Sequence, residues 1–230
     1  MNNKTELLCN KAITDLQTLL AKTMQDDPSK AAKLAYWFSD YANMINQEAE
    51  FNARKLKKYK RGDIVKAHLG FRIGSEQGGL HYCIILDNNN NVASPTVTVI
   101  PLTSIKPTTN ISNLGDGRVY LGTEIFDMLY NKSTYLINHI FVEVCKVSGQ
   151  KLPPEESLRL KSLMYQAKKT KADVQSMKAG SIALINQIVT ISKIRIYDPL
   201  SAKNTLHGIR VSDETLNIID EKIKKLYTKQ

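Results

Sequence analysis

Residues 74–104, GSEQGGLHYCIILDNNNNVASPTVTVIPLTS, constrain the fold more than any other stretch. A glycine-bounded polar loop runs into two apolar segments, the second of which ends on a Pro-Leu-Thr-Ser corner. The glycines let the loop lie close to an extended ligand. LHYCIILD reads as a largely buried strand, and VTVIPL as a second one after an Asn-rich turn. Pro101 has no N–H to give a ladder, which suits an edge or a bend and would push the Thr103 hydroxyl out of the sheet.

Further strands are expected near 63–69 and 117–122, and SIALINQIVTI reads as a final one. Short strands joined by glycine- and Asn-rich loops suit a small, strongly curved sheet or barrel. Ahead of them the chain reads as helical. Cys9, Ala12, Ile13, Leu16, Leu19 and Leu20 share one helical face, and Asp27-Pro28 supplies a cap and first-turn residue for a second helix. That helix carries Ala31, Leu34, Ala35, Phe38, Tyr41, Ala42 and Ile45 on its own stripe, with Trp37 in the packing between helices and 46–60 as a charged extension. An insertion at about 123–178 is mostly helical: Pro153-Pro154 and Glu155-Glu156 open its second half, while 134–147 is compatible with helix or strand. A last helix over about 213–227 would turn Leu216, Ile219, Ile223 and Leu226 inward. The expected class is α+β. An N-terminal helical extension (1–58) precedes a barrel unit (59–230) that carries the insertion.

With 42% apolar residues and no long polar tract, the chain is not of the disordered type. No apolar stretch reaches membrane-spanning length and MNNKTELL lacks a secretory apolar run, so a cytoplasmic protein with no membrane contact is expected. Cys9, Cys83 and Cys145 have no paired spacing for zinc or a disulfide framework, and Cys83 belongs to a core. The net charge of +10 is concentrated in RKLKKYKR (54–61), six basic residues of eight, which favours a polyanion over a merely solvated helix end.

Several ordered pieces together resemble the PemK/MazF toxins of bacterial toxin-antitoxin systems. They are Arg61-Gly62-Asp63-Ile64-Val65, Gly74-Ser75-Glu76-Gln77-Gly78-Gly79, Ser94-Pro95-Thr96, Pro101-Leu102-Thr103-Ser104, and Gly180-Ser181-Ile182 through Gln187-Ile188-Val189-Thr190-Ile191. They lie within roughly 60–122 and 179–228, and nothing carries over to the N-terminal helices or the insertion. The resemblance implies an SH3-like barrel, a homodimer and a cognate protein antitoxin. It also implies metal-independent cleavage of single-stranded RNA by attack of the neighbouring 2′-hydroxyl. No cofactor is expected, and His68, His139 and His207 show no metal-ligand spacing.

That reaction needs a proton acceptor, a proton donor and groups that stabilise charge at phosphorus. The resemblance places the family's strand-end threonine at Thr103, but its arginine after the glycine loop is His81 here. Histidine moves protons near neutral pH better than arginine and clamps phosphate less well. The expectation is therefore either an enzyme using His81 as acid or base, or a degenerate module that binds RNA or protein. Glu76 is a secondary proton-transfer candidate. Thr103, with Ser104, would hydrogen-bond the phosphate; Arg72 would grip the backbone; Ser75, Gln77 and Gln187 would border the RNA. Phe71 would stack a base or plug the barrel. The family's arginine before Thr190 is Val189, and an acidic helper is matched only by Asn186. A topoisomerase poison of the CcdB type shares the barrel but not this combination of glycine loop and Pro-Leu-Thr-Ser.

Overall fold

The computed structural model describes residues 3–146, 153–176, 178 and 180–229. Among them are five α-helices and seven strands. Helices α1 (Asn3–Asp26) and α2 (Pro28–Gln47) form the N-terminal hairpin. Strands β1 (Ile64–His68), β2 (Leu80–Ile85), β3 (Thr96–Ser104) and β4 (Arg118–Gly122) follow. Helices α3 (Glu124–Lys146) and α4 (Pro154–Ser176) make the insertion. Strands β5 (Ser181–Leu184), β6 (Val189–Ser192) and β7 (Ile196–Asp198) and helix α5 (Asp213–Tyr227) complete the chain. The ambiguous 134–147 segment is helical as far as Lys146, and residue 147 lies outside the described residues.

The strands form one antiparallel sheet in the order β4-β5-β3-β2-β1-β7, with β6 also on β3. No ladder joins β4 to β7 among the described residues, so the expected barrel is not closed. The apolar runs follow from burial on both faces. Ile64, Ile84, Ile100 and Leu102 enter one core with α3 and α5, while Val65, Cys83, Ile85, Val97 and Val99 enter a second core around Tyr59. Successive side chains on a strand point to opposite faces, so each strand feeds both.

Pro101 lies in a central strand, buried opposite Cys83. It is tolerated because β3 changes partner there, pairing with β6 through Thr96–Val99 and with β5 only from Leu102 onward. The same change splits the expected single strand at 181–191. A 3-10 turn, Ile185–Gln187, separates β5 from β6 and lifts Gln187 off the sheet.

Three further expectations are corrected. The second helix stops at Gln47, and 48–61 is two short 3-10 turns and irregular chain, because Ala53 and Tyr59 are buried and the Tyr59 hydroxyl donates to Pro199 O at 2.9 Å. The basic run is accordingly not one uniform patch: Lys57 pairs with buried Asp63 at 2.7 Å, and Arg61 is engaged by Leu86 O and Asp220. Leu226 is exposed while Leu216 and Ile219 are buried, since the last turn of α5 overruns the core and Tyr227 instead donates to Ile185 O. The Asp27 cap is as expected, its carboxylate accepting from Lys30 N at 2.9 Å.

The insertion is tied to the sheet by Ile125 and Leu129 of α3 and Val174 of α4 in the first core. The Lys132 ammonium donates to the carbonyls of Thr205 and His207, both at 2.7 Å, and Lys169 pairs with buried Asp198 at 3.1 Å. Helix α1 touches α2 but buries none of its own residues, leaving Leu7, Leu8, Ile13, Leu16 and Leu19 exposed. Among the described residues no helix is long and apolar enough to cross a membrane.

Candidate functional site

The glycine loop is held by backbone bonds at its neck. Leu69 N donates to Gly79 O at 2.8 Å and Gly79 N to Gly70 O at 2.7 Å. The neck demands two glycines. Gly79 has φ +87°, and a Cβ on Gly78 would lie 2.7 Å from the Gly70 carbonyl oxygen. At its far side the loop is latched by Gln187, whose Oε1 accepts from Gln77 N at 3.1 Å and whose Nε2 donates to Ser75 O at 3.2 Å. The 3-10 turn between β5 and β6 makes that reach feasible. Ser75 is exposed and contributes its carbonyl to the latch.

His81 is the second residue of β2, just beyond the neck. Cys83 faces Pro101, and following that register two residues toward the loop sets His81 across from Thr103 on the same face of the sheet. Directly opposed side chains have Cβ atoms about 4.5–5.5 Å apart. His81 and Thr103 line one cavity of about 240 Å³ with Ser104, Tyr82, Lys66 and Lys178.

The partners of the imidazole assign its tautomer. Nδ1 lies 3.1 Å from Leu102 O, and because a carbonyl only accepts, Nδ1 carries the hydrogen. Nε2 then holds the lone pair and accepts from the Gln77 side-chain amide at 2.8 Å. The same amide nitrogen is 3.0 Å from Nδ1, a contact that is not a hydrogen bond once Nδ1 donates to Leu102. Gln77 therefore sits on the atom that would accept a proton, and a substrate hydroxyl has to displace it.

Glu76 and Arg72 stand on the other side of His81. Their side chains pair at 3.7 Å, Arg72 Nε donates to Leu69 O at 3.0 Å, and both line a larger cavity of about 530 Å³ with Phe71 and His81. Of the three proton-transfer and phosphate candidates, His81 lines both cavities, Thr103 only the smaller and Glu76 only the larger.

Sequence reasoning missed Lys66, Tyr82 and Lys178. Lys66 lies with its ammonium 5.6 Å from the Tyr82 ring centre, and burial, with Asp173 and Asp198 nearby, pushes the Tyr82 hydroxyl up to about 12, so it stays protonated at neutral pH. Trp37, expected between the two helices, instead stacks on His68 of β1, ring centres 4.5 Å apart. The Arg195 guanidinium is 5.5 Å from its ring centre, and the indole lines the larger cavity. The helix docks there because Tyr197 of β7 donates to Asp40 of α2 at 2.8 Å. Thr190 is engaged with Thr98 at 3.1 Å on an exposed part of the sheet.

His68 makes this docking sensitive to acid. Burial lowers its pKa below the ordinary histidine value, Arg195 and His81 act in the same direction, and Asp40 opposes them. Its Nδ1 accepts from Gly70 N at 3.0 Å, which requires the neutral ring. A lowered folded pKa means that the unfolded chain binds the extra proton first. The stabilisation is thus full above about pH 6.5 and is lost as pH falls from there through the folded value. The urea midpoint should drop between neutral and mildly acidic buffer, and drop less in His68→Gln. Equal drops in both proteins would remove His68 as the cause.

Among the described residues no three His, Cys, Asp or Glu side chains gather to hold a metal ion. Residues 60–129 match the family model described as PemK-like, MazF-like toxin of type II toxin-antitoxin system. No curated protein matches the chain. The match begins one residue before Arg61 and takes in the glycine loop, His81, Thr103 and the start of α3, stopping short of β5, β6 and Gln187.

Proposed function

From the premise that this chain belongs, through residues 60–129, to the PemK-like, MazF-like toxins of type II toxin-antitoxin systems, we propose that it is an endoribonuclease. It cleaves single-stranded messenger RNA without a metal, by transphosphorylation from the 2′-hydroxyl. The observation that carries this reading is the shared cavity of His81 and Thr103, with two lysines on its wall.

In this reading Nε2 of His81, freed when Gln77 swings aside, takes the proton of the attacking 2′-hydroxyl. The Leu102 carbonyl holds the ring by Nδ1–H and favours the imidazolium that forms. The Thr103 hydroxyl donates to a non-bridging phosphate oxygen, and Lys66 and Lys178 balance the charge that builds at phosphorus. The P–O5′ bond breaks as the 2′-oxygen attaches, leaving a 2′,3′-cyclic phosphate and a 5′-hydroxyl. Ser104 supports Thr103, while Arg72 and Glu76 border the path of the strand. The chain works in the cytoplasm, as a homodimer, and is restrained by a protein antitoxin, the partner that type II membership implies.

Incubating the purified chain with mixed-sequence RNA in excess chelator tests this directly. Fragments ending in 2′,3′-cyclic phosphate and 5′-hydroxyl are expected, and a 2′-deoxy substitution at the cut nucleotide should abolish them. The engagement of both imidazole nitrogens favours one other reading, a non-catalytic module of the same fold that binds RNA or protein. Intact RNA retained in a salt-sensitive manner would establish the RNA-binding form of that reading instead.

A further inference from the structure

The larger cavity beside His81 is built from two parts of the chain that the sequence keeps separate. Its floor is Phe71, Arg72 and His81 from the glycine-loop region, and its wall is Lys33, Tyr36 and Trp37 from α2, a helix outside the matched residues 60–129. At about 530 Å³ it is within the range of small-ligand sites, roughly 300–1,000 Å³. Its chemistry is aromatic and cationic together. Tyr36 is 76% exposed although it is a large ring, whereas Trp37 is held still by His68 and Arg195. An exposed tyrosine facing a fixed tryptophan, with a lysine and an arginine at the margin, meets the two needs of one single-stranded nucleotide. The rings offer faces for a base, and the cations offer charge for its phosphate.

We propose that this cavity is a nucleotide subsite in which the appended hairpin takes part in RNA binding. It would hold the nucleotide next to the scissile one, on the side of His81 away from Thr103. Tyr36 and Phe71 stack its base, Trp37 backs the stack, and Lys33 and Arg72 contact its phosphate. The inference rests on the reading that the glycine-loop region takes single-stranded RNA, and it adds a specificity element supplied by α2. His81, common to both cavities, marks the boundary between the reacting nucleotide and its neighbour.

Tyr36→Ala tests the subsite, because a residue so exposed is removed without disturbing a core. The probes are two oligoribonucleotides mapped from the cleavage assay, one ending at the cut step and one extended by the neighbouring nucleotide as 2-aminopurine, whose fluorescence is quenched by stacking. Each is also made with a 2′-deoxy cut nucleotide so that binding is read without turnover. For the extended probe KM and Kd should rise about tenfold to a hundredfold in Tyr36→Ala, with kcat and the short probe unaffected, quenching reduced, and Tyr36→Phe close to the parent. Lys33→Gln should weaken the extended probe alone, by a smaller factor.

Equal losses on both probes, or none on either, would overturn the subsite while leaving the nuclease reading intact, and a cavity reserved for a protein segment would give the second of these results. A parent chain that binds RNA without cutting it would refute the nuclease. The same comparison of Kd would then support or overturn the subsite, with mixed-sequence strands carrying or lacking the terminal 2-aminopurine as the paired oligomers. A parent that neither binds nor cuts RNA would overturn both.

Discussion

Replacing His81 with glutamine is expected to slow RNA cleavage by about 10²–10⁴-fold, the usual share of a positioned acid–base group. The loss should fall on kcat. Glutamine can still donate to the Leu102 carbonyl and accept from Gln77, so both bonds that fix the imidazole have substitutes in the variant. What glutamine cannot do is carry a proton at neutral pH. A structural role would therefore be largely rescued, and a proton-transfer role would not. Two further readouts separate the cases. The parent should show a pH-dependent rate whose limb assigned to His81 is absent from the variant, and Kd for a 2′-deoxy oligomer should change little. A variant that cuts RNA at the parent rate with the same pH profile would remove His81 from the chemistry and leave Thr103 and the lysines as RNA contacts.

The largest effect on stability is expected from Leu129→Ala. Leu129 is fully buried on α3, in the core that also contains Val119, Leu121, Ile209, Leu216 and Ile219. Truncating a buried leucine removes transfer free energy and leaves a cavity, at a cost of about 2–5 kcal/mol. Domains of this kind are stable by only about 5–15 kcal/mol, so the variant should lose a large part of its margin. Phe141→Ala is the control on the same helix. Its ring is 69% exposed, and its loss should cost within about 0.5 kcal/mol. Urea unfolding of the two variants at one pH decides between the outcomes. A Leu129→Ala midpoint indistinguishable from that of Phe141→Ala would mean that the insertion hangs beside the sheet without completing its core.

Much of the sheet was legible because buried strands announce themselves as apolar runs, and the runs at 80–85 and 96–104 do so clearly. Pro101 was legible as an interruption, but not as a change of partner in the middle of the sheet, since one strand's sequence does not record which neighbour lies beside it. The turn at Ile185–Gln187 was hidden for the same reason. Asn186 and Gln187 are polar in an otherwise β-like run, and only the partner change on β3 makes a break there favourable. The run 54–61 misled because density of charge says nothing of its destination; Lys57 and Arg61 spend theirs on Asp63 and Asp220.

For the site, His81 and Thr103 were readable from the order of short segments, and the strand register supplies their pairing. Lys66 and Lys178 were not readable, as lysine is the ordinary surface residue and nothing local sets these two apart. Tyr36 and Trp37 were placed on a helix by periodicity, which gives a face but not what that face meets. Contacts spanning thirty or more positions, such as Trp37 with His68, are made by the fold as a whole.

The reach of Gln187 across to Ser75 and Gln77 bears on how portable this loop is. A fragment cut to the matched stretch, or a chimera that borrows only GSEQGG, would possess every letter of the loop and lack the clasp that gives it shape. Mobility, not miscoding, would be its defect: the donor chain has to bring its C-terminal strands along for the transplant to keep its contour.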